Sequence, residues 1–146
     1  MGVLELCDSL PATVSLQATA ADAVRLMLDR HVGAVAIVDE DARVAGIFTE
    51  RDVLRKLSLS GRNLEDTLVR EVMTTSVELA APETTPGEAL TIMVDRHFRH
   101  LPIADNRGKL LGMLSIRDVL QWRIDDLGQE LDSLEQYVAA ADGLGG

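Results

Sequence analysis

Apolar and polar positions follow two periods along this chain, and the switches between them fall at matching places in its two halves. Ala23, Leu26 and Met27 recur at helical spacing, as do Ala89, Ile92 and Met93. Each run opens on a capping box, Thr19-Ala-Ala-Asp22 and Thr85-Pro-Gly-Glu88. In each, a hydroxyl accepts the third amide and an acid reaches back. Pro86 stands at the first helical position, where its missing N–H costs nothing. Short β-rich runs follow at 34–38 and 101–104, then polar turns at 39–42 and 105–108, then second strands at 44–48 and 110–114. A last helix starts at Thr49 in one half and at Ser115 in the other, and residues 13–16 and 79–81 supply a short opening strand. The predicted order is strand, helix, strand, strand, helix, twice.

The two halves are copies. A shift of 66 residues aligns positions 20–54 with 86–120 without a gap, and 12 of those 35 positions are identical. Met27/Met93, Gly46/Gly112 and the run from Arg51 to Leu54 against Arg117 to Leu120 are among them. The fold class is therefore α/β, built as two tandem βαββα repeats. We assign the first repeat to 1–57, a linker to 58–76, the second repeat to 77–124, and an acidic helix and tail to 125–146. Within the linker, Asn63-Leu-Glu-Asp66 is expected to cap a short helix bearing Leu64, Leu68, Val72 and Met73.

Composition narrows the function. With 47% apolar residues among 146 the chain can bury a core, but only 3% are aromatic, which removes the stacking platform of single-stranded nucleic-acid binders. A net charge of −10 argues against nucleic acid as a partner. Six of those charges (Asp125, Asp126, Glu130, Asp132, Glu135, Asp142) lie after residue 124, leaving −4 for residues 1–124 and room for a local anion site. Apolar runs are too short to span a bilayer, so no membrane role is expected. Cys7 is the single cysteine and, with no basic n-region at the start, the expected compartment is the cytoplasm.

Both copies close their last strand on the same pattern, Gly46-Ile-Phe-Thr49-Glu-Arg-Asp52 and Gly112-Met-Leu-Ser115-Ile-Arg-Asp118. Ser/Thr-x-x-Asp is a capping-box pattern in its own right. The same arrangement suits a nucleotide: helix N-terminal amides and the hydroxyl donate to a phosphate, the carboxylate accepts from a ribose, and Gly46 and Gly112 admit close approach. Arg51 and Arg117 either serve the phosphates or are solvated residues at the helix starts. No Walker-type loop, nucleophile elbow or base–nucleophile pair is visible, so the chain is not expected to be an enzyme.

These motifs, with His97-Phe-Arg-His-Leu-Pro-Ile-Ala-Asp105 entering a strand, resemble the CBS-domain family over residues 10–124. The resemblance implies two repeats packed about a pseudo-twofold axis, with two clefts between them and pairing into a homodimer. It implies an adenine nucleotide (AMP, ADP, ATP or a related adenosyl compound) as a regulatory ligand, with no required cofactor. Thr49 and Asp52 would serve one cleft, and Ser115 and Asp118 the other. Adenine would lie near Val14 and Val35, or Ala80 and Leu101. Basic residues before the second strand face the phosphates in related proteins. Arg99 and His100 stand there in the second copy, but Gly33 and Ala34 in the first, so two unequal sites are expected.

His31 and His97 follow Asp-Arg at matching helix ends and read as residues favouring the negative end of the dipole. No third ligand-type residue recurs beside them, so no metal site is expected, and Cys7 reads as inert. Beyond the second repeat, Leu120, Ile124, Leu127, Leu131, Leu134 and Val138 continue at 4-3-4-3-4 spacing. Glu130 and Glu135 flank that seam at g and e, which disfavours a free parallel coiled coil. Docking on the body, on a dimer mate or on an unknown client protein is expected instead. The alternative function is thus a ligand-free interaction scaffold acting through this helix.

Overall fold

A computed structural model describes residues 1–145, with side chains described through Ala141. Strand β1 (Thr13–Ser15) pairs in parallel with β2 (Ala34–Val38), which pairs antiparallel with β3 (Val44–Thr49). The second sheet holds β4 (His100–Ala104) and β5 (Leu110–Ser115), and its opening strand shrinks to one parallel bridge, Ala80 to Ile103. Helices α1 (Ala20–Arg30) and α4 (Pro86–Arg96) both begin on the expected capping boxes. They end on His31 and His97 through left-handed main chains, with φ of 54° and 59°, rather than through imidazoles inside the last turn. Asp39 and Asp105 brace the matching hairpin turns, each accepting two main-chain amides on Oδ1.

After β3 the chain enters a short helix α2 (Glu50–Asp52), which widens into a π-helical stretch, Val53–Leu57. Each repeat has its own helix-side core, one around Phe48, Ile37 and Met27, the other around Met93, Leu101 and Leu114. Between the sheets lies a third cluster of smaller side chains, including Ala34, Ala36 and Ile47. The alternation of the strands explains this division: Val35 and Ile37 face the helices, Ala34 and Ala36 face the other repeat.

The region read as a linker behaves differently from expectation. Asn63 closes a turn on Glu65, and the helix there, α3 (Val69–Val72), starts only after Leu68. Val69 and Val72 are buried in the first core. The 66-residue register extends to the N-terminus, where Val3 matches Val69 and Glu5 matches Glu71. A helical turn, Val3–Glu5, buries Val3 in the second core. The Val69 amide donates to the Ala18 carbonyl at 2.9 Å, and the Val3 amide to the Thr84 carbonyl at 2.8 Å. Each repeat is thus completed by the helical segment that precedes the other.

These inserted segments run on as edge strands. Thr74 exchanges both main-chain hydrogen bonds with Ile47, and Asp8 does the same with Met113. The glycines beside those contacts make the crossings possible. A Cβ at Gly46 would sit 2.9 Å from the Thr74 carbonyl oxygen, and one at Gly112 would sit 2.9 Å from that of Asp8.

Helix α5 (Ile116–Gly145) starts at the second cleft and runs for 30 residues. Trp122 packs on the second core, but Ile124, Leu127, Leu131, Leu134 and Val138 stay exposed, so the expected docking on the body is not made. The side chain of Asp142 and residue 146 lie outside what the structure describes. No described helix is long and apolar enough to cross a membrane.

The glycine contacts give a direct test. Gly112→Ala forces backbone against backbone and is expected to cost about 1–3 kcal/mol in urea unfolding. Gly87→Ala, with nothing within 4 Å, is expected to leave stability unchanged or slightly raised. Equal effects from the two would contradict the crossing.

Candidate functional site

Thr49 and Ser115 each end the last strand of a sheet and cap the helix that follows, so the strand fixes the hydroxyl and the helix fixes the carboxylate three residues on. In the first cleft the Thr49 amide donates to Asp52 Oδ2 at 3.0 Å. Asp52 Oδ1 accepts from the Thr74 hydroxyl at 3.1 Å and lies 3.1 Å from Lys56 Nζ. Lys56 is itself held by the Val72 carbonyl at 2.9 Å. Asp52 is only 6% exposed, and both its oxygens are engaged. A buried carboxylate needs such partners, and Lys56 and Thr74 supply them.

The second cleft repeats the cap but not the lock. The Ser115 amide donates to Asp118 Oδ2 at 3.0 Å, and the Asp118 amide donates to the Ser115 hydroxyl at 3.1 Å. In the 66-residue register Lys56 is replaced by Trp122 and Thr74 by Asp8. Trp122 turns to the core, and Asp8 offers no donor in place of the Thr74 hydroxyl. Among the described residues nothing bonds Asp118 Oδ1, and the residue is half-buried. Cys7 lies under Gly112, and burial pushes its thiol above the ordinary value, aided by the negative charges of Asp118 and Asp8. A thiol held protonated is a poor nucleophile.

The clefts also differ in charge. Arg51, Arg55 and Arg96 line the first, a space of about 460 Å³ whose one carboxylate, Asp52, is already paired. Arg99 and Arg117 line the second, of about 420 Å³, against Asp8, Glu50 and Asp118. The sites are unequal, as expected, but the excess positive charge lies with Thr49 and Asp52. Arg99 does bring a positive charge to the second cleft, where Asp8 and Glu50 offset it, while Arg55 lies one turn beyond the motif on the helix that Thr49 opens and Arg96 comes from the end of α4.

His100 lines both clefts. Burial lowers its pKa below the ordinary 6.5; Glu50 and Asp118 pull it upward, and Arg99 lowers it further. Two other groups of residues fall elsewhere than expected. Val14, Val35, Ala80 and Leu101 pack within the two cores, so the apolar wall of the second cleft comes instead from Ala34, on the opposite face of β2, and from Ala12, just ahead of β1. The close approach permitted by Gly46 and Gly112 is taken by Met73-Thr74 and Cys7-Asp8, not left to a ligand. Lys56 and Thr74 escaped the motif; extending the repeat register to both ends pairs Thr74 with Asp8 and exposes the difference.

The shift at His100 predicts a pH dependence. Above about pH 6.5 folded and unfolded chains both hold a neutral imidazole. As pH falls below 6.5 the unfolded state takes up the proton first, so stability is lost until pH passes the lower folded value. The melting temperature is expected to fall between pH 7.5 and 5.5 by less in His100→Asn than in the parent chain. An identical fall in both would contradict the burial argument.

The comparisons with known proteins agree with this architecture. The family model for the CBS domain matches residues 5–59 and 69–125. The mitochondrial CBS domain-containing protein CBSX3 of Arabidopsis thaliana is 38% identical over 124 residues, covering 82% of this chain and 60% of that protein. The chain spans between 53% and 63% of the length of three curated relatives and as little as 19% of longer ones. A CBS-domain protein from Burkholderia ambifaria superposes with a TM-score of 0.79 at 35% identity, covering 86% of this chain and 96% of that one. CBSX2 in complex with AMP shares the fold at 22% identity, with a TM-score of 0.73 over 85% of this chain and 96% of that one. With both repeats matched and the exchanged segments accounted for, the chain belongs to the CBS-domain family.

Proposed function

We propose that this chain is a regulatory module that binds an adenine nucleotide or related adenosyl ligand between its repeats, and that the Ser115–Asp118 cleft is the principal site. The observation that carries this reading is the free Oδ1 of Asp118 beside the opening amides of α5. A ribose diol donates to that oxygen without displacing an internal partner. The Ser115 hydroxyl, the helix amides, Arg99 and Arg117 meet the phosphate, and Ala12 and Ala34 leave room for the flat base. In the first cleft Asp52 must give up Lys56 or Thr74 before it can hold a ribose, so Thr49, Arg51, Arg55 and Arg96 serve the anionic end of a ligand there. The AMP complex of a protein with this fold supports the ligand class.

Binding would act by favouring one arrangement of repeats and subunits over another, which requires differential contact with the two. Among the described residues no hydroxyl or thiol lining the clefts is hydrogen-bonded to a histidine, so the reading is of a homodimeric sensor that reports to a client protein, not a catalyst. The exposed stripe on α5 favours a second reading, a scaffold that works without ligand.

Thermal shift with AMP, ADP, ATP and S-adenosylmethionine separates the two. At least one ligand is expected to raise the melting temperature, and Asp118→Ala is expected to abolish that rise while changing the ligand-free value little. Asp52→Ala is expected to lower the ligand-free value, since it removes the partner of Lys56 and Thr74 at a cost of about 1–3 kcal/mol. No rise with any ligand leaves the scaffold reading; a rise that survives Asp118→Ala moves the site elsewhere.

A further inference from the structure

The 66-residue shift relates the two clefts, and their linings differ in a consistent way. Ala12 and Ala34, which leave room for a flat base in the second cleft, are answered in the first by Glu78 and His100. Val32 is answered by Phe98. His100 and Phe98 line the first cleft, and the Glu78 carboxylate lies 3.6 Å from Nη1 of Arg96. A nucleoside therefore meets an imidazole and a phenyl ring where the other cleft presents alanine and valine.

The acceptor for a ribose is lost as well. Asp52 accepts from the Thr49 amide at 3.0 Å, the Thr49 hydroxyl at 3.3 Å and the Thr74 hydroxyl at 3.1 Å, and Lys56 Nζ lies 3.1 Å from it. A carboxylate has about four lone-pair sites, and these donors fill them. Lys56 in turn is held by Asp52, the Val72 carbonyl and the Thr74 hydroxyl. The floor of the cleft is a closed network with no acceptor left for a diol.

What stays open is donor. Arg51, Arg55 and Arg96 line the cleft, and a guanidinium donates but never accepts. Arg51 and Arg55 enter no ion pair among the described residues. Arg51 uses one N–H on the His97 carbonyl across the cleft, at 3.4 Å. The counterparts of the other two in the second half are neutral or already tied. Gln121 stands in place of Arg55 and bonds Asp125; Arg30, the counterpart of Arg96, lies 3.8 Å from Asp8 and bonds the Leu10 carbonyl. Three like charges share one cleft whose only lining carboxylate is already paired, and an anion between them relieves their repulsion.

We propose that the Thr49–Asp52 cleft is a site for a nucleoside-free oligophosphate, a short chain of linked phosphates such as pyrophosphate or tripolyphosphate. This deepens the reading of the two clefts given above and leaves nucleotide to the Ser115–Asp118 cleft. An oligophosphate is compact, bears acceptors throughout and matches planar guanidinium groups bidentately. Arg51 and Arg55 belong to the first repeat and Arg96 to the second, so the bound anion bridges the repeats on the side away from the nucleotide.

The test is calorimetric titration, without magnesium, of the full chain carrying Asp118→Ala, which disables the nucleotide cleft. Tripolyphosphate is expected to bind, and Arg55→Gln or Arg96→Gln each to weaken it by about tenfold or more. These arginines are exposed, so melting of the ligand-free variants is expected to stay cooperative. ATP, whose ribose and base have no place in this cleft, is expected to bind at least about tenfold more weakly than tripolyphosphate. Glu78→Ala with His100→Ala, which gives this cleft the alanines of the other, is expected to close most of that gap. Absence of tripolyphosphate binding, or an affinity indifferent to both arginines, overturns the assignment. ATP or citrate bound as tightly as tripolyphosphate overturns it too, the first by admitting a nucleoside and the second by reducing recognition to charge. If nucleotides stabilise the parent chain while tripolyphosphate fails to bind, this assignment falls and the sensor reading stands. Tripolyphosphate binding with no nucleotide effect on the parent chain gives the reverse.

Discussion

The fold rests on a reciprocal insertion. Residues 3–8 complete the second repeat and residues 69–74 complete the first, so neither repeat has a whole core or a whole sheet edge without chain that belongs, in sequence, to the other. Val3 and Val69 are fully buried anchors, and the paired main-chain bonds of Asp8 and Thr74 satisfy the outer edges of β5 and β3. Two repeats joined only by a surface could slide on one another. Repeats that each hold a piece of the other cannot move without exposing apolar surface and breaking ladder hydrogen bonds. That constraint gives the clefts walls drawn from both halves, and it explains why glycine stands at 46 and 112.

Much of this was legible in the sequence. The 66-residue register, the capping boxes at Thr19 and Thr85, and the order of strands and helices all follow from local chemistry, which the fold did not override. What local patterns do not show is which face of a strand meets which layer. Val35 and Ala34 differ by one position, and a period of two sends one to the core and the other toward the opposite repeat. Of the residues expected to wall the adenine, Val35 therefore packs in the core, while Ala34, one position away, lines the second cleft. The linker misled for a related reason. Leu64 and Leu68 resemble a helical stripe, but the chain turns at Asn63 and must reach Thr74 as an edge strand, which leaves only four residues for α3.

The clefts carry one motif and two environments. Thr49–Asp52 and Ser115–Asp118 are alike as caps, so their sequence alone makes them alike as binding groups. The difference comes from chain brought in by the insertion. Thr74 beside Lys56 gives Asp52 a full set of donors; Asp8 and Trp122 give Asp118 none on its outer oxygen. A carboxylate already desolvated and paired gains little by exchanging one donor for another, whereas one with an open lone pair gains a whole bond. The duplicated motif is the same in both clefts, and residues outside it leave Asp52 paired and Asp118 with an open oxygen.

That division places the open carboxylate at the start of the longest element in the chain. Asp118 and Ser115 form the first turn of α5, and a helix of 30 residues extends about 45 Å from that point. The helix is anchored at its base by Val119 and Trp122, while the stripe beyond them stays exposed. A ligand that draws on the opening amides and on Asp118 acts on the fixed end of this lever, where a small change of tilt becomes a displacement of several ångströms at Val138. The mirrored helix of the first repeat ends within two turns and bears a carboxylate that is already satisfied. Among the described residues, the second cleft alone joins a carboxylate oxygen without a partner to a long helix, which is the arrangement the proposed sensor requires.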